Sequence, residues 1–350
     1  MTDINFSKLA EDIKIWGREL GFQQIGISDI DLSEADVHLQ NWLQNNFHGE
    51  MDYMQRHGAM RSHPELLVPG TLRIISARMD YLPAEPQSIE VLKNSSLAYI
   101  SRYALGRDYH KLIRQRLQKL ANKIQEASGE FGYRALVDSA PVLERAIAEK
   151  AGLGWIGKNA MLINKKAGSW FFLGELFTDL PLPLDNKADE HCGTCHACLD
   201  ICPTDAFVGP NKLDARKCIS YLTIELRTSI PEKLRPLMGN RVFGCDDCQL
   251  CCPWNKFSSP TQEKDFSPRH ELDRNELVTL FSWTEEEFLE KTAGSPIRRI
   301  GYDCWLRNLA VGLGNASSSP QIKAALQARI NHPSPLVKEH VDWALAQHAH

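Results

Sequence analysis

The feature that most constrains this chain is the distribution of its ten cysteines. None precedes Cys192, and nine of the ten fall between Cys192 and Cys252. A disulfide framework is typical of small secreted chains, whereas this chain has 350 residues. Thiols crowded into one segment are typical of metal or cluster ligands instead. The sequence therefore predicts a metal-containing module in the second half of the chain.

The clustered cysteines form two runs with one cysteine between them. The first run is Cys192-x2-Cys195-x2-Cys198-x3-Cys202-Pro203, the second is Cys245-x2-Cys248-x2-Cys251-Cys252-Pro253, and Cys218 lies between them. The first spacing is that of bacterial two-cluster ferredoxins, in which three thiolates hold one [4Fe–4S] cluster and the fourth, before proline, reaches the other. Two Cys-Pro endings argue against a structural zinc site, which is usually built from separated Cys pairs.

The spacing also suggests which thiols share a cluster. Two clusters need eight thiolates, so one of the nine is spare. If the cysteine before each proline crosses over, the first cluster is held by Cys192, Cys195, Cys198 and Cys252. The second is then held by Cys202, Cys218, Cys245 and Cys248, which leaves Cys251 as a packing residue. The tenth thiol, Cys304, lies in an apolar helical segment and is expected to be buried in the core.

The chain divides into three regions of different pattern, so we expect an α+β multidomain fold. Helix and strand patterns mix through residues 1–185, with a long amphipathic helix over Tyr109–Glu126; this fits an α+β or an α/β domain, and we expect an α/β domain. A ferredoxin-like domain is expected over 186–258. Residues 275–350 have a helical pattern to the end and resemble HEAT-type repeats weakly.

Charge limits the classes of partner. The formal net charge is −4, so contact with a nucleic acid needs a local basic patch. Residues 102–123 carry seven Lys and Arg against one acid, although the solvated face of an amphipathic helix explains this equally well. Acids near the N-terminus argue against a signal peptide, and no stretch approaches the ~20 apolar residues of a membrane helix. We therefore expect a cytoplasmic protein, without membrane contact, and a monomer, because no strong coiled-coil or apolar seam is visible.

One acid outside the cysteine region is notable for its position. Asp138 follows a predicted strand and precedes a helix, in VDSAPVLERA, where it can face a bound ligand. A capping acid beside Ser139 and Pro141 explains the same position, and position alone favours that interpretation. Glu144 and Arg145 on the following helix are expected to form ordinary ion pairs. No G-x-G-x-x-G follows a strand and no P-loop is present, so a Rossmann-type or phosphate-loop site has no support.

Four long segments, in order, together resemble one known family. They are VDSAPVLERAIAEKAGLGWIGKN, CGTCHACLDICPTDA, CISYLTIE and GNRVFGCDDCQLCCPWN, and they are similar to the epoxyqueuosine reductase family. The resemblance extends from the N-terminal helix to the C-terminal helices. It implies cobalamin and two [4Fe–4S] clusters, with cob(I)alamin fed by the clusters. It also implies reduction of the epoxide of epoxyqueuosine at the tRNA wobble position to the cyclopentene, with release of water.

The resemblance implies roles for individual residues. Asp138 would be the proton donor at the epoxide oxygen, and we expect burial against the corrin to raise the pKa of its carboxyl for this purpose. Cobalamin would bind without a histidine ligand, because Ile113 replaces the glycine of the D-x-H-x-x-G box that begins at Asp108, and His110 is interpreted as an ordinary helix residue. The expected cobalamin contacts lie near the family motifs, at Arg56, Asp138, Lys158, Asn159, Ser169, Ser220 and Asp246.

The implied partners are a tRNA with a GUN anticodon and a reductant that the sequence does not identify. Arg298, Arg299 and Arg307 are predicted at helix starts, where they could contact phosphates. Two alternatives remain open, namely a corrinoid iron–sulfur enzyme like a reductive dehalogenase and a non-catalytic two-cluster electron carrier. The basic stretch favours a tRNA substrate over the first alternative. The size of the N-terminal region argues against the second.

Overall fold

The computed structural model describes residues 4–84 and 87–349. Its helices are α1 Phe6–Glu19, α2 Ser33–Gln44, α3 Tyr53–Arg56, α4 Pro64–Leu67, α5 Ser88–Lys93, α6 Tyr109–Ser128, α7 Glu144–Lys150, α8 Ala197–Asp200, α9 Ile219–Ile224, α10 Arg235–Met238, α11 Asp247–Leu250, α12 Leu277–Ser282, α13 Glu285–Lys291, α14 Tyr302–Asn315, α15 Pro320–Gln327 and α16 Pro335–Gln347. Its strands are β1 Gln24–Ser28, β2 Arg73–Asp80, β3 Tyr99–Ile100, β4 Tyr133–Leu136, β5 Trp155–Ile156, β6 Leu162–Ile163, β7 Phe171–Thr178, β8 Phe207–Gly209, β9 Lys212–Leu213 and β10 Arg241–Phe243. None of the helices in these described ranges is long and apolar enough to span a bilayer.

The N-terminal region is built on a four-stranded sheet in the order β1-β2-β7-β4. All three pairings are antiparallel, and Glu175 of β7 lies opposite Ser76 of β2 and Leu136 of β4. The predicted mixture of helices and strands is confirmed. The finer expectation of an α/β domain is corrected, because that architecture rests on parallel strands joined by crossover connections. The region is of the α+β kind.

Helices cover both faces of this sheet and fix where its end residues lie. One face, which includes Ile75 and Leu176, packs against α1 and α6. The second helix approaches closely because Gly174 has no side chain, and a Cβ there would lie only 2.5 Å from the side chain of Ile113. The opposite face, which includes Phe177, packs against α7. The first turn of α6 and the segment between β4 and α7 are thereby brought together.

The cysteine-rich segment and the C-terminal helices share one hydrophobic core. Leu222, Val242, Leu309 and Val341 are all 0% exposed and belong to it. Strand β3 also pairs in parallel with β10, which ties the N-terminal region to the cysteine-rich segment. Helix α14 packs against α16, but HEAT-type repeats are not confirmed. The three predicted domain boundaries stay a prediction.

The shared core explains an error in the predicted tRNA contacts. Arg307 lies within α14 and is 0% exposed. Its guanidinium donates hydrogen bonds of 2.8 Å to the carbonyl oxygens of Leu222, Leu226 and Thr228. A phosphate cannot reach this group, so the prediction that Arg307 contacts tRNA is wrong. The residue instead connects α14 to the chain that follows α9.

Arg307→Met is expected to lower the free energy of unfolding by about 3–5 kcal/mol. The change leaves several buried carbonyl groups without donors, and each such group costs about 1–3 kcal/mol. The exposed Arg298 provides the matched control, since Arg298→Met should change stability by less than about 0.5 kcal/mol. Denaturant unfolding of both variants measures the difference. Normal stability with weakened tRNA binding in Arg307→Met would contradict the buried role.

Candidate functional site

The turn between β4 and α7 holds Asp138 in an unusual backbone conformation. Its φ is +36°, in the left-handed region that non-glycine residues seldom adopt. Such a conformation costs of order 1–3 kcal/mol and persists only where the surrounding structure enforces it. The backbone N–H of Asp138 donates a hydrogen bond to Oε1 of Glu144 on α7. The strained turn presents the Asp138 side chain, which is 58% exposed, at the end of the sheet.

The first turn of α6 supplies partners to the Asp138 carboxylate. The hydroxyl of Tyr109 donates to Oδ2 of Asp138 at 2.8 Å, and Nε2 of His110 lies 3.3 Å from the same oxygen. The other imidazole nitrogen of His110, Nδ1, lies 2.6 Å from Oδ1 of Asp108. Asp108 also caps α6 by accepting from the backbone N–H of His110. His110 therefore bridges two carboxylates.

These contacts set where the proton resides. Burial opposes protonation of His110, but hydrogen bonds to Asp108 and Asp138 outweigh it and raise the pKa of His110 to about 9. Burial would raise the pKa of Asp138, but the hydrogen bonds from His110 and Tyr109 outweigh it, and the pKa of Asp138 is lowered. The expectation of a raised Asp138 pKa is therefore corrected. At neutral pH the proton is on His110 and Asp138 is ionised.

Further polar side chains surround this pair. The positive charge of Arg299 contributes to the lowered pKa of Asp138, and Arg299 itself forms an ion pair with Glu225. Arg61 is 7% exposed and donates to the carbonyl oxygen of Tyr53 at 3.0 Å. Its Nε has no hydrogen-bond partner among the described residues. Sequence reasoning missed Arg61 because its segment showed no periodic pattern.

Four cysteines from both runs line one pocket. They are Cys192, Cys195, Cys198 and Cys252. Burial raises the pKa of Cys198 to about 11, and the thiols of Cys252, Cys192 and Cys195 contribute to the rise. Nε1 of Trp155 donates to Sγ of Cys192 at 3.4 Å, a type of contact that tunes the potential of a cluster ligand.

The other predicted ligands form a second group beside the first. Burial is the main cause of the raised pKa values of Cys218, Cys245 and Cys248, with smaller contributions from Cys202 on Cys218 and from Cys218 on the other two. Cys251 donates through its thiol to the carbonyl of Cys248 at 3.6 Å. Within the described ranges, no three His, Cys, Asp or Glu side chains converge to hold a single metal ion. The ligand assignment stays a prediction, whereas Cys304 is buried, as expected of a core residue.

Two of the residues predicted to contact cobalamin are bonded to the cysteine-rich segment. Nζ of Lys158 donates to the carbonyls of Gly193 and Cys195 at 2.6 and 2.9 Å, and Nδ2 of Asn159 donates to the carbonyl of Cys248 at 3.2 Å. Both side chains therefore support the cysteine loops.

Two of these predictions are corrected by burial. Asp246 is 1% exposed, and its carboxylate accepts hydrogen bonds from Tyr99, Ser101 and the backbone of Arg102. Ser169 is also 1% exposed, and its hydroxyl is engaged by Gln249 and Asn255. Neither side chain offers a free polar atom to a ligand. Arg56 is exposed on α3 and Ser220 is half-buried on α9, so both stay predictions.

The basic stretch 102–123 is partly occupied by internal contacts. Arg102 is buried and its guanidinium lies 4.4 Å from the ring centre of Trp170, while Arg107, Arg116 and Lys123 form ion pairs. Exposed positive charge remains on α6 at Lys111, Arg114 and Lys119.

The fold and the site agree with comparisons to known proteins. The family model described as epoxyqueuosine reductase QueG, DUF1730, matches residues 61–139, and the 4Fe-4S double cluster binding domain matches residues 191–255. The epoxyqueuosine reductase of Pseudomonas aeruginosa is 66% identical over 98% of this chain and 95% of its own length. That of Escherichia coli is 58% identical over 98% of this chain and 90% of its own length.

Solved structures give the same result. An epoxyqueuosine reductase crystallised with an epoxyqueuosine-modified tRNA-Tyr stem loop matches with a TM-score of 0.88 at 27% identity, covering 99% of this chain and 92% of that chain. The Bacillus subtilis enzyme, with its catalytic loop swung out of the active site, matches with a TM-score of 0.87 at 27% identity and the same coverage.

The double-cluster segment, joined to an antiparallel α+β region that carries an exposed acid, defines an iron–sulfur oxidoreductase. The chain belongs to the epoxyqueuosine reductase family. The family predicted from the sequence motifs is confirmed, and neither alternative is supported.

Proposed function

We propose that this chain reduces the epoxide of epoxyqueuosine at the wobble position of GUN-anticodon tRNAs to the cyclopentene of queuosine, with cobalamin and two [4Fe–4S] clusters as cofactors. The reaction consumes two electrons and two protons and releases the epoxide oxygen as water. The observation that carries the proposal is the exposed Asp138 carboxylate, whose Oδ2 lies 3.3 Å from Nε2 of His110. An epoxide oxygen needs a proton as its C–O bond breaks, because an alkoxide is a poor leaving group.

The residues present fit the proposed clusters. Eight thiols lie in two groups, and each group contains cysteines from both sides of the segment. Thiolate sulfur is the usual ligand of [4Fe–4S] clusters. We assign Cys192, Cys195, Cys198 and Cys252 to one cluster, and Cys202, Cys218, Cys245 and Cys248 to the other.

The surroundings of Asp138 also fit a large polar cofactor. The orphaned Nε of Arg61 and the hydroxyl of Tyr53, which is 39% exposed, provide polar groups for the amide arms of a corrin. The guanidinium of Arg61 lies 5.8 Å from the ring centre of Tyr53, and the charges of Asp138 and Arg61 both act on the pKa of Tyr53. Reduced cobalamin, when bound, supplies a nucleophilic metal centre for opening an epoxide.

In this proposal the protein residues deliver the two protons one at a time, the first to the epoxide oxygen and the second, after His110 is reprotonated from solvent, to the resulting hydroxyl that leaves as water. The imidazolium of His110 passes a proton through its Nε2–H to Oδ2 of Asp138, 3.3 Å away. Asp138 then protonates the epoxide oxygen, and Tyr109 holds the carboxylate in place by its hydrogen bond. Asp108 stabilises the imidazolium from the other side. His110 therefore acts as the proton reservoir and Asp138 as the group that contacts substrate.

Exposed arginine and lysine side chains support a tRNA substrate. Arg299 is 54% exposed and its charge reaches Asp138, so a phosphate beside the modified nucleotide could pair with it. Arg298 is exposed nearby in the same 3-10 turn, Pro296–Ile300. We propose residues 1–185 as the catalytic region, 186–258 as the cluster region and 275–350, without Arg307, as a tRNA-contacting helical region.

Turnover of a defined substrate tests the proposed function. The full chain, purified anaerobically and supplied with cobalamin, is incubated with a chemical reductant and epoxyqueuosine-containing tRNA. Queuosine is then quantified by mass spectrometry of the digested tRNA. We expect queuosine only when cobalamin and reductant are both present. Equal turnover without cobalamin, or bound corrin without any turnover, would overturn the proposal.

The rate should depend on pH through His110. Because the pKa of His110 is raised from 6.5 to about 9, its proton is present at pH 7 and is lost as pH rises through about 9. We expect kcat to fall about tenfold per pH unit above that value. His110→Gln should lower kcat at pH 7 by about 10- to 100-fold and flatten the alkaline limb. If kcat of His110→Gln falls above the same pH as that of the wild type, the titrating group is not His110.

A further inference from the structure

A second acidic group lies behind the Asp138 turn and has no role in the reaction described above. Glu175, in the middle of β7, is 0% exposed. It is on the sheet face that packs against α7, where Phe177, Leu136 and Ile147 form an apolar cluster. Neither of its carboxylate oxygens has a hydrogen-bond partner among the described residues. An ionised carboxylate without partners is strongly disfavoured in such surroundings.

Besides Ser76, which lies opposite Glu175 in β2, the polar group beside Glu175 is the carboxyl of Glu144. The two side chains are within hydrogen-bonding contact. Two ionised carboxylates only accept hydrogen bonds, so they can bond to each other only when one of them carries a proton. Burial and the neighbouring carboxylate charges raise the pKa of Glu144 to about 7 and that of Glu175 well above its ordinary value. A proton between the two is therefore retained at neutral pH.

Glu144 connects this buried pair to the site. Its Oε1 accepts the backbone N–H of Asp138, the residue with φ +36°. A free glutamate side chain would lose conformational entropy on adopting one position at the surface of the turn. A hydrogen bond from a protonated Glu175 fixes the Glu144 carboxylate and leaves its Oε1 to hold the Asp138 backbone.

We propose that Glu144 and Glu175 share one proton and that Glu144, fixed in this way, is a positioning residue that holds Asp138 in its strained conformation facing His110. The inference rests on the proposed role of Asp138. It assigns to Glu144 a function other than the ordinary ion pair expected from sequence.

Several charged groups face the pair and are consistent with one shared proton. The carboxylate of Asp138 and the imidazolium of His110 lie on the turn side, and Tyr109 lies beside them on α6. Arg145, the next residue on α7, is exposed and its guanidinium donates to the carbonyl of Ala160. Among the described residues neither Glu144 nor Glu175 forms an ion pair with an arginine or lysine; the charges of Arg145 and His110 act on Glu144 only from a distance, and a shared proton removes one negative charge from the pair.

Infrared spectroscopy of the full chain tests the shared proton directly. At pH 8 exposed glutamates are ionised, so the wild-type minus Glu175→Gln difference spectrum should contain the carbonyl band of a protonated carboxyl. Glu126, an exposed glutamate of α6, is the matched control. The wild-type minus Glu126→Gln difference spectrum should not contain this band. A difference spectrum without that band for Glu175→Gln would overturn the shared proton.

Amide hydrogen exchange at Asp138 tests the positioning role, without cofactor or substrate. Glu144→Ala removes the acceptor, so the protection factor of the Asp138 amide should fall about tenfold or more. Glu144→Gln retains an oxygen acceptor and should keep most of the protection. Wild-type protection in Glu144→Ala would overturn the positioning role.

Kinetics separate this inference from the proposed function. Glu144→Ala should lower kcat about tenfold with an unchanged KM for tRNA, and Glu144→Gln should restore most of the loss. If the reductase proposal fails, turnover is absent in every variant while the infrared and exchange results still decide the pairing. If the positioning role fails, Glu144→Ala keeps wild-type exchange and wild-type kcat in an active enzyme.

Discussion

Asp138→Asn is expected to lower kcat on epoxyqueuosine-containing tRNA by about 10²- to 10⁴-fold, the usual contribution of a positioned proton donor. Asparagine has nearly the same shape as aspartate and still accepts the hydrogen bond from Tyr109. It cannot take a proton from His110 and pass it to the substrate. The loss should therefore appear in kcat, while cluster content, bound corrin and tRNA affinity stay at wild-type levels.

The measurement is single-turnover formation of queuosine at pH 7, with iron content and corrin absorbance recorded on the same sample. Asp342→Asn, at an exposed position on α16, is the matched control and should retain wild-type turnover. An active Asp138→Asn enzyme with both cofactors intact would refute the proton-donor role. Asp138 would then have only a structural role in its turn, because Leu143 and not Asp138 is the N-cap residue of α7, which corrects the capping interpretation favoured by position alone.

The role of the cysteines as cluster ligands could be predicted from their local spacing. The distances between successive thiols along the chain are set by a few residues, so the runs that begin at Cys192 and Cys245 indicate clusters before any fold is known. The long amphipathic helix could be predicted too, because its period is visible in the sequence. Helix α6, Tyr109–Ser128, confirms this prediction.

Contacts between distant segments could not be predicted in the same way. His110 looked like an ordinary helix residue because its partner, Asp138, is brought to it only when α6 and the β4 turn pack on one sheet. Arg307 looked like a phosphate ligand because the amphipathic pattern of α14 does not show that the cysteine-rich segment covers it. Glu175 is an acidic residue within a mostly apolar strand, and the sequence does not show that Glu144 packs beside it.

The predicted sign of the Asp138 pKa shift failed for a related reason. Burial alone raises the pKa of a carboxyl, and that was the only effect visible from sequence. The structure adds two donors and a positive charge, and these outweigh burial. The proton that the sequence analysis placed on Asp138 is therefore held by His110. The acid that contacts substrate and the group that holds the proton at rest are then different residues.

Cys252→Ser is expected to leave about four irons per chain instead of about eight, and to abolish turnover. Cys252 is the last cysteine of the second run in sequence but lines the pocket of the first-run thiols. Its loss should remove only the cluster held with Cys192, Cys195 and Cys198. Cys251→Ser is the matched control, since that neighbouring thiol donates to a backbone carbonyl, and it should keep about eight irons.

Paired substitutions test more directly than single ones whether Cys252 belongs to the cluster of the first-run thiols. Cys198→Ser combined with Cys252→Ser should lose no more iron than either change alone, because both thiols belong to one cluster. Cys198→Ser combined with Cys248→Ser should lose nearly all iron, because the two thiols belong to different clusters. Iron and sulfide analysis of anaerobically purified protein distinguishes the two patterns. If the first pair also loses nearly all iron, Cys252 belongs with the second group and the crossover is wrong.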